Sequence, residues 1–180
     1  MTTNTSFQPR MIVIHWLMVA LFIAVYALIE AKSFYERGSD IRGMVQYWHM
    51  MAGLAIFSLV WIRLYFRLTS PYPGIIPTPV NWQDKLAKLF HVLLYTLMIA
   101  MPIIGWLMMN AKGRPVELGF FELPQLISKN KEMAELLEEI HETAGKVGYG
   151  IIGFHAFAAL FHHYWLKDNT LLRMLKIKKD

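Results

Sequence analysis

Apolar residues crowd into four stretches, 11–29, 45–62, 89–109 and 147–166, parted by shorter polar segments. Each is close to the ~20 residues a helix needs to cross the hydrocarbon core of a bilayer. The pattern therefore predicts an all-α, integral-membrane four-helix bundle forming a single domain over 1–180, with helices at about 9–31, 42–67, 82–110 and 131–166. The first stretch is long for the apolar part of a secretory signal and is preceded by one Arg, so it reads as a retained span. The fourth helix begins well before its apolar part, because Met133, Leu136, Leu137 and Ile140 recur at helical spacing outside the membrane. Pro102 falls inside the third span, where a kink is expected. The segment 68–81, LTSPYPGIIPTPVN, reads as a short extended link between antiparallel helices, and 110–130 as a longer loop punctuated by Gly113, Pro115, Gly119 and Pro124.

Composition agrees with the pattern: of 180 residues, 56% are hydrophobic and 14% aromatic. The absence of cysteine excludes disulfides, iron–sulfur clusters and thiolate metal sites, and leaves histidine as the ligand type to consider. The net charge of +5 would suit nucleic acid, but its distribution points to lipid. With both termini on the inner side, the inner flanks carry +7 and the outer flanks −2. Positive residues favour the cytoplasmic face, which places both termini in the cytoplasm. The basic tail around Lys176, Lys178 and Lys179 is then a lipid-surface feature. Trp82, Tyr164 and Trp165 fall at the inner boundary, where interfacial aromatics anchor a helix.

All seven histidines lie in or beside the apolar helices. Imidazoles at that depth call for a function. His141 and His155 are 14 residues apart, nearly four turns, so they share one face of the fourth helix about 21 Å apart. Counting depth along the other helices pairs His49 with His141 on the outer side and His15 with His155 on the inner side, with His91 an alternative inner partner. Two imidazoles per level suit haem, since a porphyrin supplies four equatorial nitrogens and leaves two axial positions. A bare zinc or copper site would want three or four convergent ligands. No CxxCH is present, so the haems would be of b type. Gly53, Ala144, Gly145, Gly148, Gly153 and Ala156 would let a flat ring or a neighbouring helix approach the backbone. His162, two turns beyond His155, is a candidate contact for a haem propionate or a quinone carbonyl. His163 has no assigned role.

The segments IHWL at 14–17, WHMMAG at 48–53, HETAGKVGY at 141–149 and FHAFAALFHHYWLKDNTLLRM at 154–174 resemble the bacterial cytochrome b561 family. That resemblance implies a four-helix cytochrome of the bacterial inner membrane with two haems b, ligated by His15, His49, His141 and His155. It favours His15 over His91, which spacing did not. It further implies electron exchange with the quinone pool, with superoxide:ubiquinone oxidoreductase activity in some members. The partners expected are the lipid bilayer, quinone, and superoxide or a redox protein, with no nucleic acid. For superoxide, Arg42, Lys112, Arg114, Lys129, Lys131 and Lys146 are candidates for a local positive funnel on the outer side. Two other classes fit parts of the pattern: a haem-bearing anchor subunit for a hydrogenase or dehydrogenase, and a histidine-lined metal transporter.

Overall fold

The computed structural model describes residues 6–119 and 121–175. Four long helices make up most of it: α1 Pro9–Ala31, α2 Asp40–Thr69, α3 Asn81–Ala111 and α4 Lys131–Tyr164. Their limits follow local chemistry. Pro9 sits at the start of α1, where its missing N–H costs nothing. Ser39 and Asn130 cap α2 and α4 by accepting from the backbone N–H of Arg42 and Met133, and Asp40 and Glu132 add negative charge to the first turns. Helix α2 stops just before Ser70–Pro71, because the residue preceding a proline disfavours helical geometry. Helix α3 continues through Pro102 and ends where Gly113 turns the chain at φ 69°.

Each helix carries an apolar window long enough to span a bilayer, yet only 6 to 11% of each window is buried within the bundle. In water that exterior would be untenable; against acyl chains it is the expected surface. The buried core is correspondingly small. Met18, Ile56, Val60 and Met98 meet where α1, α2 and α3 converge, with Leu21, Phe22 and Tyr95 packed around them. Successive helices pack on each other, α1 on α2, α2 on α3 and α3 on α4. Helices α1 and α4 are joined through side chains: Tyr26 Oη donates to the Gly145 carbonyl at 3.0 Å, Tyr149 Oη donates to Glu30 Oε1 at 2.7 Å, and the two tyrosine rings lie 4.1 Å apart.

Both ends of the described chain meet at one end of the bundle. The Phe7 N–H donates to the Arg173 carbonyl at 3.1 Å, and Trp16 Nε1 donates to the Met174 carbonyl at 2.8 Å. The basic residues Lys176, Lys178 and Lys179 lie outside the described residues. Trp82, Tyr164 and Trp165 are all exposed at this same end, at 64, 71 and 77%.

Candidate functional site

Helix α4 presents His141 and His155 to two different helices at two depths. His49 on α2 faces His141 with ring centroids 6.3 Å apart, and His15 on α1 faces His155 at 6.4 Å. The near-identical spacing is chemically specific. A metal ion shared by two imidazoles at about 2 Å from each ligating nitrogen holds the ring centroids about 6 Å apart. Direct hydrogen bonding between the rings would draw them closer, and neither pair is so bonded. His91 on α3 also lies against His155, with centroids 5.6 Å apart, so the level of His155 holds three imidazoles and that of His141 two. Among the described residues no cluster of three or more His, Asp or Glu has the geometry to hold a bare metal ion.

The chemistry of the donors fits an axially ligated metal. The Val25 carbonyl lies 3.0 Å from His49 Nδ1, and a carbonyl can only accept, so Nδ1 carries the proton. Nε2 of the neutral ring is then a free lone pair. This is the usual means of orienting a ligating imidazole. His141 Nδ1 is buried and makes no hydrogen bond.

The small residues divide into two kinds. A Cβ at Gly148 would collide with Tyr26 Oη, and one at Gly105 would come within 3.2 Å of His141 Cε1, so both glycines serve close helix contacts. Gly53, one turn past His49, and Gly153, just before His155, have open space where a Cβ would stand. A flat group beside the histidines would occupy that space.

His162 is engaged by a residue that sequence spacing did not indicate. Its Nδ1 lies 2.6 Å from Asp168 Oδ2, while Asp168 Oδ1 accepts from the Thr170 N–H at 2.8 Å. Burial alone would push the Asp168 carboxyl up, but these hydrogen bonds outweigh it and hold the group below its ordinary value. The contact depends on Lys167, whose φ of 55° turns the chain back so that the Asp168 N–H reaches the His162 carbonyl at 3.1 Å. The same turn positions Asn169, whose side chain accepts from Ile76 N–H at 2.8 Å, and Arg173, whose NH1 donates to the Pro73 carbonyl at 2.6 Å. Residues 168–175 thus clasp the α2–α3 link. His163 has its ring 4.8 Å from that of Tyr164 and its buried Nδ1 unpaired.

At the opposite end, a cavity of about 810 Å³ is lined by Lys32, Arg37, Arg42, Lys112 and Arg114 against Asp40, Glu138 and Glu142. Arg42, Lys112 and Arg114 of the expected funnel are here. Lys129, Lys131 and Lys146 are not part of its lining, and Lys131 pairs with Glu135 at 3.7 Å. Lys32 and Arg37 join it because the α1–α2 loop folds over the bundle end. Arg42 is a structural element of that loop, donating from NH1 to the carbonyls of Lys32 and Tyr35 at 2.8 and 2.7 Å. Lys112 is held by Glu138 at 2.9 Å.

Comparison with known proteins agrees with this arrangement. Cytochrome b561 homolog 1 of Escherichia coli (strain K12) is 37% identical over 174 residues, covering 96% of this chain and 98% of that one. The probable superoxide oxidase CybB of Yersinia pestis is 37% identical over 167 residues, covering 92% and 93%. Cytochrome b562 of Cereibacter sphaeroides is 28% identical over 183 residues, covering 98% and 99%. The profile of the family described as prokaryotic cytochrome b561 matches residues 6–176. A four-span bundle with cross-helix imidazole pairs, matched along almost its whole length by these relatives, belongs to the prokaryotic cytochrome b561 family of membrane haem b oxidoreductases.

Proposed function

We propose that this protein is a di-haem b cytochrome of the bacterial inner membrane, with both termini cytoplasmic, that takes electrons from superoxide on the outer side and delivers them to ubiquinone. The observation that carries this reading is the pair of imidazole couples at two depths, each with the centroid spacing expected of two imidazoles that would share one metal. His49 and His141 would hold the outer haem, His15 and His155 the inner one. When bound, the haems supply one-electron carriers on the two sides of the bilayer.

The chain's own residues supply placement and access. In the net reaction two superoxide anions each lose one electron and leave as dioxygen, while the quinone gains two electrons and two protons to become quinol. The cations of the outer cavity attract the anion and raise its local concentration. At the other end His162 donates from Nδ1 to Asp168 Oδ2 at 2.6 Å, and when the ring carries both protons, paired with that carboxylate, Nε2–H can donate to a quinone carbonyl or a haem propionate. Positive charge on the end that carries Arg10, Lys85, Lys88 and Lys167 supports the cytoplasmic placement of the termini.

The test is spectroscopic and enzymatic. Membranes bearing the wild type should show sharp b-type bands on reduction, with two haems per chain. His49→Leu or His141→Leu should remove one haem and leave the other. The purified chain alone should reduce ubiquinone with superoxide as the donor. Colourless protein would discard haem ligation, and coloured protein inert without an added hydrogenase or dehydrogenase would make the chain an anchor subunit instead.

A further inference from the structure

Helix α2 repeats the geometry of α4. His49 and Arg63 are 14 residues apart, as are His141 and His155, so Arg63 returns to nearly the face of His49 about 21 Å further along. On α4 that step leads from one imidazole to another. On α2 it leads from an imidazole to a guanidinium at the level of the second imidazole pair. The charge of Arg63 reaches His15, His91 and His155 alike. Its side chain is largely shielded and its NH1 is buried without a hydrogen-bond partner.

A guanidinium inside an apolar span is costly unless an anion or a set of acceptors satisfies it. The groups facing it supply no anion: His15 from α1, Arg67 from α2, which is itself a cation, His91 and Tyr95 from α3, and His155 from α4, with the Tyr95 hydroxyl as side-chain hydrogen-bond partner and NH1 left over. The described carboxylates at this end of the bundle are occupied elsewhere, Asp84 by Lys88 at 2.7 Å and Asp168 by His162 and Thr170. Among the described residues, no carboxylate pairs with Arg63. The site therefore holds a cation with unused donors, beside a histidine pair spaced for a metal, and lacks an anion.

The geometry points to Arg63 as the seat for a carboxylate of the inner porphyrin, so that the missing anion enters with the cofactor. The assignment rests on the haem reading above and adds to it a role for a residue that ligates nothing. Arginine suits the task because its planar fork can meet both oxygens of one carboxylate, which an ammonium cannot. A cation held there favours the more electron-rich state of the neighbouring metal centre, so Arg63 both anchors the group and raises its electron affinity.

The experiment uses the full-length, purified protein with its haems in place and titrates it potentiometrically. In Arg63→Gln the midpoint of one haem should fall by at least a tenfold change in its reduction equilibrium, about 59 mV for a one-electron couple, with the other haem unmoved. Arg63→Lys should fall in between. A second measurement reconstitutes the stripped protein with haem b whose propionates are methyl esters. The ester should lower the inner midpoint of the wild type and add nothing in Arg63→Gln. Additive effects of ester and substitution, or an unmoved midpoint in Arg63→Gln, would overturn the seat. So would loss of a tightly held phospholipid, read as phosphorus per protein, with both midpoints unchanged; the partner would then be a lipid phosphate. A wild type without b-type bands overturns the parent reading instead, which separates the two failures.

Discussion

The contact between His162 and Asp168 fixes where the chain goes after α4, and Asp168→Asn tests what it is worth. At 2.6 Å with a buried carboxylate as acceptor, the bond is charge-assisted, a class worth about 1.5–3 kcal/mol. Asparagine keeps one carbonyl oxygen, enough for His162 Nδ1 or for the Thr170 N–H, but not both. One of the two bonds is therefore lost. The consequence is local opening of the clasp, since Asn169 and Arg173, which tie residues 168–175 to Gly74, Ile76 and Pro73, follow directly in sequence. A loss of that size raises the open population about 10- to 150-fold. Hydrogen exchange read by mass spectrometry, on protein in nanodiscs, should show that acceleration in peptides covering 71–77 and 168–175 and leave mid-span peptides of α2 and α3 unchanged. The pH dependence has a fixed sign. The Asp168 carboxyl titrates below its ordinary value in the folded chain, so its contribution is complete above the unfolded carboxylate range. It is lost as pH falls through the lower, folded value, and the wild type should then approach Asp168→Asn. Unchanged exchange in 71–77, or equal acceleration in every helix, would refute the clasp.

Two further predictions concern the bundle. Gly148→Ala should evict Tyr26 from the Gly145 carbonyl and overpack the α1–α4 contact, a cost of about 1–3 kcal/mol, seen as a lower midpoint temperature for loss of the haem spectrum. Gly53→Ala meets open space, so it should leave the helices intact and alter only the retention or spectrum of the haem proposed between His49 and His141. At the outer cavity, neutralising Arg37, Lys112 and Arg114 together should slow haem reduction by superoxide roughly tenfold at low salt, with the difference shrinking as ionic strength rises. Arg42→Gln should instead loosen the α1–α2 loop, because its guanidinium is committed to two loop carbonyls.

The helices were legible in the sequence because a span needs a long apolar run that no loop imitates, whereas the caps at Ser39 and Asn130 came only with the structure. The histidine pairs were legible for a related reason. Antiparallel spans of similar length convert sequence position into depth, and counting residues set His49 opposite His141 but left both His15 and His91 as partners for His155, which the structure indeed brings to the same ring. What depth could not supply is direction around each helix and the path of the loops. Arg63 counts only as one more inner charge until its register with His49 is noticed. Asp168 reaches His162 through the left-handed turn at Lys167, a conformation for which a lysine gives no warning. Lys32 and Arg37 join the outer cavity because a loop folds inward, which composition does not encode.

The distribution of fixed contacts also explains why α4 can serve two sites. The central cluster of Met18, Ile56, Val60 and Met98 belongs to α1, α2 and α3, and α4 adds only small buried residues, Ala134 and Gly148, outside it. In lipid there is no hydrophobic force to press a fourth helix home, so its position depends on specific contacts. It packs along α3, meets α1 through Tyr26, Tyr149 and Glu30, and is tied at its end by the 168–175 clasp to Phe7, Trp16 and the α2–α3 link. Between those ties, the levels of His141 and His155 are spanned by imidazole pairs that do not touch. The chain fixes α4 along α3, with His141 itself against Gly105, and against Tyr26 of α1, while no hydrogen bond joins the rings of either cross-helix pair. On the proposed di-haem reading, such a helix can face two planar groups at different depths without displacing the central cluster of α1, α2 and α3.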